Sequence, residues 1–147
     1  MTGWRIGYAA GPTEAMQAIS NLQDHSTSNP ASISQKAALA ALKGPQDCVE
    51  SMRLEFERRR DYMCQRLDKM KDISYVKPQG AFYIFCDISK TGAKSMEFAK
   101  RLLDEANVAV IPGGPFGWDN YVRLSFATSS ENIKKGLDRI EQWFTRQ

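Results

Sequence analysis

No stretch of the sequence approaches the roughly 18 consecutive apolar residues of a membrane span, and the N-terminus carries no basic-then-apolar signal pattern. A membrane partner is therefore not expected. Histidine occurs once, at His25, and the three cysteines (Cys48, Cys64 and Cys86) form no C-x-x-C pair, which argues against a structural zinc site. Their odd number also argues against a disulfide framework and points to a reducing compartment, with the cytoplasm as the expected location. A large excess of charge of one sign is missing too. The net charge is +3 with Lys and Arg spread along the chain, so a nucleic-acid surface is not indicated. Internal repeats and low-complexity segments are missing. What remains is 147 residues with 42% hydrophobic and 25% charged side chains, enough for a globular unit with a real core.

The apolar pattern switches between helix and strand periods. Residues 3–10, GWRIGYAA, read as a strand with Trp4, Ile6 and Tyr8 on one face and Arg5, Gly7 and Ala9 on the other. Few domains begin two residues before an interior-looking strand, so a chain cut from something longer is expected. Gly11-Pro12-Thr13 is a turn, with Thr13 as N-cap of a helix from Glu14 to about Leu22, striped by Met16, Ile19 and Leu22. A polar loop over 24–30 leads to a second helix, capped by Ser32 and closed by Gly44-Pro45. Asp47-x-x-Glu50 has the form of a capping box, opening a helix that reaches Lys71, about 36 Å long at ~1.5 Å per residue. Its Arg58-Arg59-Arg60 run is expected to be a solvated face. Beyond it come a short strand at 73–76, a buried strand at 81–87 and a helix capped by Ser95. A final helix starts at Ser129 or Ser130 and turns Ile133, Leu137, Ile140 and Phe144 inward. The expected fold class is α/β, with an α+β portion from residue 73 onward: a small, mostly antiparallel sheet covered by helices. The long helix connects it to residues of a different unit.

The most informative stretch is Val108 to Thr128, VAVIPGGPFGWDNYVRLSFAT. One apolar run ends in Pro112-Gly113-Gly114-Pro115, and a second, Tyr121 to Ala127, alternates strictly. Val122, Leu124 and Phe126 fall on one face, leaving Tyr121, Arg123 and Ser125 on the other. One guanidinium thus sits mid-strand, away from the packing side. Two readings are open: an arginine in water on an exposed strand face, or a fixed fork of donors that grips a carboxylate in two places. The glycines after Ile111 make no phosphate loop, since no Lys-Ser/Thr follows them.

The stretch Thr2-Gly3-Trp4-Arg5-Ile6-Gly7-Tyr8 with Ala10-Gly11-Pro12 resembles the segment just after the cofactor lysine in class I aminotransferases, pyridoxal-phosphate enzymes of fold type I. The resemblance continues in order through Ser26-Thr27-Ser28-Asn29-Pro30, Gln79-Gly80-Ala81-Phe82-Tyr83, Ile111-Pro112-Gly113 with Phe116-Gly117, and Tyr121 to Ala127. It covers essentially the whole chain and is closest in flavour to aspartate aminotransferases. It implies that residues 1–45 are the C-terminal remnant of a large cofactor-binding domain, 46–72 the linking helix and 73–147 the small C-terminal domain. It further implies that Arg5 contacts the phosphate of pyridoxal phosphate and that Arg123 clamps the substrate α-carboxylate, the two meeting across one pocket. On the strand reading, only Gly7 and Ala9 share Arg5's face, which leaves room for a bulky anion; a salt-bridged strand arginine is the competing reading. Tyr8, Ser28 and Asn29 are softer candidates for the cofactor pocket or the neighbouring subunit's, with packing roles equally open. Trp118 stands where the family has smaller residues. His25 reads as an ordinary surface or cap histidine.

In the family pattern the Schiff-base lysine precedes the phosphate arginine by more residues than this chain has before Arg5, so no catalytic residue is expected within it. The reaction implied moves an amino group from an amino acid, aspartate as first choice, to a 2-oxo acid. A homodimer is implied as well, and a large-domain edge left apolar should associate in isolation. Two rival readings are a pyridoxal-phosphate lyase of the same fold type and a non-catalytic binding or dimerisation module. The purified 147-residue chain, given pyridoxal phosphate, aspartate and 2-oxoglutarate, should show no transamination in a coupled assay. Turnover would contradict the assignment.

Overall fold

The chain divides into two units, Met1–Cys48 and Val49–Gln147, and the computed structural model describes residues 1–146. The first unit is helical. Helix α1 spans Thr13–Ser26 and helix α2 spans Ser32–Lys43, the latter closed by the extended backbone of Gly44. Pro12 and Ala31 take the N-cap positions, one residue before Thr13 and Ser32, and no side chain caps either helix. Helix α1 continues through Asp24 to Ser26, so the polar stretch begins as helix before it becomes loop. Ser34 is the buried side chain of α2, and its hydroxyl donates to the Trp4 carbonyl at 3.0 Å. By contrast Ile19, Leu22, Ile33 and Leu42 are exposed within this unit.

The strand expected over residues 3–10 does not form. Thr2–Trp4 make a 3-10 turn, Arg5 adopts a left-handed conformation with φ 52°, and the residues up to Pro12 are irregular. A strand exists only through the hydrogen bonds of a neighbour, and among the described residues none pairs with this segment. Period-two alternation alone, interrupted by Gly3 and Gly7, does not replace that partner.

The second unit follows from the patterning of its apolar residues. Helix α3, Asp47–Leu67, is 21 residues long, about 31 Å at ~1.5 Å per residue. It stops before Lys71 because its end tightens: Lys69 and Met70 donate to the carbonyls of Arg66 and Leu67, three residues back. That tightening turns Met70 into the core. Of the arginine run only Arg58 is solvated as expected, while Arg59 and Arg60 are half-buried; Arg58 and Arg59 pair with Glu55 and Arg60 with Asp61. Strands β1 (Ser74–Tyr75), β2 (Tyr83–Asp87), β3 (Ile111–Pro112) and β4 (Tyr121–Ser125) form one antiparallel sheet in the order β1-β2-β4-β3. Helices α4 (Ser95–Ala106) and α5 (Ser130–Phe144) join α3 in covering it.

The core lies between sheet and helices. Ile84, Cys86, Val122 and Leu124 point inward from β2 and β4 to meet Phe98 and Leu102 of α4 and Leu137 and Ile140 of α5. Each such side chain contributes about 1.5–3 kcal/mol through removal from water. Ser129 caps α5 as expected, accepting the Asn132 N–H at 3.2 Å. The inward stripe of α5 includes buried Trp143, three residues beyond Ile140, with half-buried Phe144 packed against the core beside it, and the indole N–H donates to Glu105 at 2.6 Å. Arg66 fastens α3 to α5 through Asp138 and Glu141, at 2.6 and 2.8 Å.

Two acids drawn out of water weaken the fold at high pH. Burial first, then the neighbouring Cys64, pushes the Cys86 thiol up to about 12 from an ordinary 9.0. Burial, followed by hydrogen bonding to Asp68, also raises Tyr75. An acid whose folded value is raised keeps its proton in the native state while the unfolded chain releases it. Stability is therefore complete below about pH 9 and declines as pH rises through the 9–12 interval. The unfolding midpoint should fall between pH 8.5 and 11 by circular dichroism, and fall less steeply in Cys86→Ala. A midpoint independent of pH over that range would contradict the burial argument.

Candidate functional site

The outer face of the sheet carries the unusual chemistry. Strict alternation sends Val122 and Leu124 into the core, and so presents Tyr121 and Arg123 on the opposite side of β4. The same alternation in β2 presents Tyr83, Phe85 and Asp87 beside them, with Phe85 opposite Arg123 and Asp87 opposite Tyr121. Phe85 stacks on Tyr121 with ring centres 4.9 Å apart, and Trp118 meets Tyr121 edge-on at 5.3 Å. The result is an aromatic surface that carries the Arg123 guanidinium.

That cation is held by rings. The Arg123 guanidinium carbon lies 4.8 Å from the ring centre of Tyr83 and 5.2 Å from that of Phe116. Each contact is worth about 0.5–1 kcal/mol at a partly exposed position. Among the described residues no carboxylate comes within ion-pair distance of Arg123. Asp87, the acid on the same face, is engaged elsewhere. The Ser89 N–H donates to it at 2.8 Å and, with help from the Tyr121 hydroxyl, keeps its carboxyl below the usual range. The half-buried fork therefore has donors that could take an acceptor from outside the unit.

The segment between β3 and β4 delivers Phe116 to this place. Gly113–Gly117 turn sharply, with Gly117 at φ 85° directly after Phe116. The buried Ser95 hydroxyl braces the turn, donating to Asp119 at 2.8 Å and accepting the Gly114 N–H at 3.1 Å. This hydroxyl also draws the Asp119 carboxyl below its ordinary value. Ser95 therefore does not cap α4 as expected: Lys94 takes the N-cap place, no side chain caps the helix, and the Ser95 hydroxyl serves the turn instead.

Arg5 belongs to the first unit. Its guanidinium is exposed and makes one long bond, 3.4 Å, to the Thr2 carbonyl. A Cβ on Gly7 would meet nothing within 4 Å, so the backbone ahead of it is open. Among the described residues this exposed guanidinium has no carboxylate partner, and its donors could hold a phosphate. Tyr8 is 84% exposed, Asn29 is exposed, and Ser28 takes a left-handed φ of 62° while its N–H closes α1 on the Gln23 carbonyl. His25 sits in the last turn of α1, exposed. Among the described residues no group of His, Cys, Asp and Glu could hold a metal, and no helix is long and apolar enough to cross a membrane.

The family model described as Aminotransferase class I and II matches residues 1–140. The chain belongs to this aminotransferase family. It is 50% identical to the aspartate aminotransferase of Bacillus sp. (strain YM-2) over 97% of its own length and 38% of that relative's. An aromatic aminotransferase from Pyrococcus horikoshii OT3 superimposes with a TM-score of 0.93 at 40% identity, covering 99% of this chain and 40% of that one. The aspartate aminotransferase from Thermus thermophilus with maleate gives 0.90 at 43% identity, covering 97% and 37%. The chain thus spans a little over a third of the length of these family members.

Arg123 was legible as a candidate because a lone charge in an alternating strand is conspicuous. Tyr83 and Phe116 were not. Residues 81–87 read as a continuous apolar run, and the signal that separates its faces is the contrast of Tyr83 and Phe85 with Ile84 and Cys86. Phe116 looked like part of a turn.

Gly113 is the position where the family member's site turn tolerates least. A Cβ there would lie 2.3 Å from the Trp118 carbonyl oxygen and 2.5 Å from that of Tyr121, both backbone atoms. Gly113→Ala should cost about 1–3 kcal/mol, read as a lower urea midpoint, because the turn must open to admit one methyl. An unchanged midpoint would show that the close approach is not a constraint.

Proposed function

We propose that these residues act as the C-terminal part of a pyridoxal-phosphate aminotransferase that moves an amino group between aspartate and a 2-oxo acid. The single observation that carries this reading is the unpaired Arg123 fork on the aromatic sheet face, in a chain of the aminotransferase family. The names of its similar relatives support the aspartate choice, as does the similar Thermus thermophilus structure, whose companion molecule, maleate, is a dicarboxylate like aspartate.

In this reading Arg123 receives the α-carboxylate through two parallel hydrogen bonds, and so sets the orientation of the amino acid's Cα–H bond. Fixing that geometry is worth several kcal/mol of barrier, since the reacting bond need not search for its alignment. Arg5 holds the phosphate of the cofactor. Pyridoxal phosphate, when bound, supplies the electron sink that the reaction requires. The residues that react covalently lie outside this chain's 147 residues, and Arg5 and Arg123 bind and orient. Residues 1–45 belong to the cofactor-binding domain, 46–72 to the linking helix and 73–147 to the small domain. Three free cysteines support a reducing, cytoplasmic setting, and the exposed apolar residues of α1 and α2 support association as a homodimer.

In the full-length enzyme, Arg123→Lys should raise the dissociation constant of maleate and the KM of aspartate by on the order of tenfold or more, because one ammonium cannot reproduce the fork. Cofactor affinity should stay within about twofold. Arg5→Gln should do the reverse, weakening retention of pyridoxal phosphate during dialysis while maleate binding to the reconstituted enzyme persists. Equal losses of both ligands in both variants would contradict the division of labour.

A further inference from the structure

The carboxylate role of Arg123 needs more than the arginine. A mid-strand arginine has a long flexible side chain, and one that is free to swing binds a carboxylate only after losing that freedom. Here two rings from separate elements restrict it. Tyr83 opens β2 and reaches Arg123 diagonally across the strand pair, since its direct partner is Ser125. Phe116 arrives from the turn between β3 and β4, set by the left-handed Gly117 and the Ser95 brace. Neither ring contributes to the buried core: Tyr83 is half-buried and Phe116 is 50% exposed. Aromatic area left on the surface and packed against a cation lacking an ion-pair partner has little use in stability.

We propose that Tyr83 and Phe116 are positioning residues for the substrate carboxylate, acting through the Arg123 guanidinium. The inference rests on the carboxylate role assigned to Arg123 above. Through their π faces the rings hold the cation without consuming its N–H donors, which an aspartate or glutamate partner would occupy. The fork is thereby pre-organised and partly dehydrated before substrate arrives, and binding loses less side-chain freedom. The ring, not the phenol hydroxyl, is what Tyr83 supplies.

The test uses the full-length holoenzyme and titrates maleate alongside KM and kcat for aspartate in Tyr83→Leu, Phe116→Leu, Tyr83→Phe and Arg123→Lys. Each leucine variant should raise the maleate dissociation constant and the aspartate KM about fivefold, while cofactor affinity and kcat at saturation stay within about twofold. Tyr83→Phe should restore the maleate affinity lost in Tyr83→Leu. Because both rings are partly exposed, leucine should not unfold the unit, and unchanged cofactor affinity confirms that it has not. Wild-type maleate binding in both leucine variants, with Arg123→Lys impaired, would overturn this inference alone. Wild-type binding in Arg123→Lys would overturn the carboxylate role and this inference with it. A Tyr83→Phe as weak as Tyr83→Leu, or cofactor affinity falling in parallel, would also refute positioning by the rings.

Discussion

A partly buried guanidinium normally finds a carboxylate in its own protein, because an unpaired charge leaving water is costly. Arg123 breaks that rule within its unit. Its neighbours are aromatic rings, and the acid on the same sheet face is tied to Ser89 and Tyr121 instead. Much else in the second unit serves this arrangement. The core-side alternation of β4 forces Arg123 outward, the pairing of β2 with β4 sets Tyr83 diagonally beside it, and the Gly113–Gly117 turn brings Phe116 down onto it. The apolar core behind the sheet keeps those three elements in register.

The constraints that hold the site are separable from those that hold the fold. Helices α3, α4 and α5 pack on the inner sheet face through Met63, Leu67, Phe98, Leu102, Leu137 and Ile140, and that packing would survive many changes on the outer one. Ser95 and Gly113 are exceptions, linking core to site. Ser95 is buried at the start of α4 yet bonds the turn that carries Phe116, and Gly113 is buried where the same turn runs close to the backbone of Trp118 and Tyr121. A methyl group at Gly113 is thus felt at Arg123 without touching it.

Most of the second unit was legible in the sequence, for a physical reason. Its strands and helices bury one face each, so hydrophobic period and structure coincide: α4, α5 and β4 fall close to where alternation and caps put them. The misreadings have equally physical causes. Residues 3–10 alternate like a strand but lack a pairing neighbour, and alternation supplies no hydrogen bonds. Helix α3 stops short of Lys71 because three-residue bonds tighten its end, a choice dictated by where Met70 and Ile73 must pack. In α5, Trp143 joins Phe144 against the core and is the more buried of the two, since both lie within a helical step of Ile140 and only tertiary contacts decide how deeply each enters. At the site, the charge of Arg123 was visible and its aromatic company was not. Contacts between β2, β4 and the turn join residues far apart in the chain, which no local period encodes.

The most direct measurement is a crystal structure of the full-length enzyme with maleate bound. The account predicts one maleate carboxylate coplanar with the Arg123 guanidinium, two N–H···O distances of about 2.8 Å, and the rings of Tyr83 and Phe116 still against the cation. Maleate bound elsewhere, with Arg123 paired to a protein carboxylate, would contradict it.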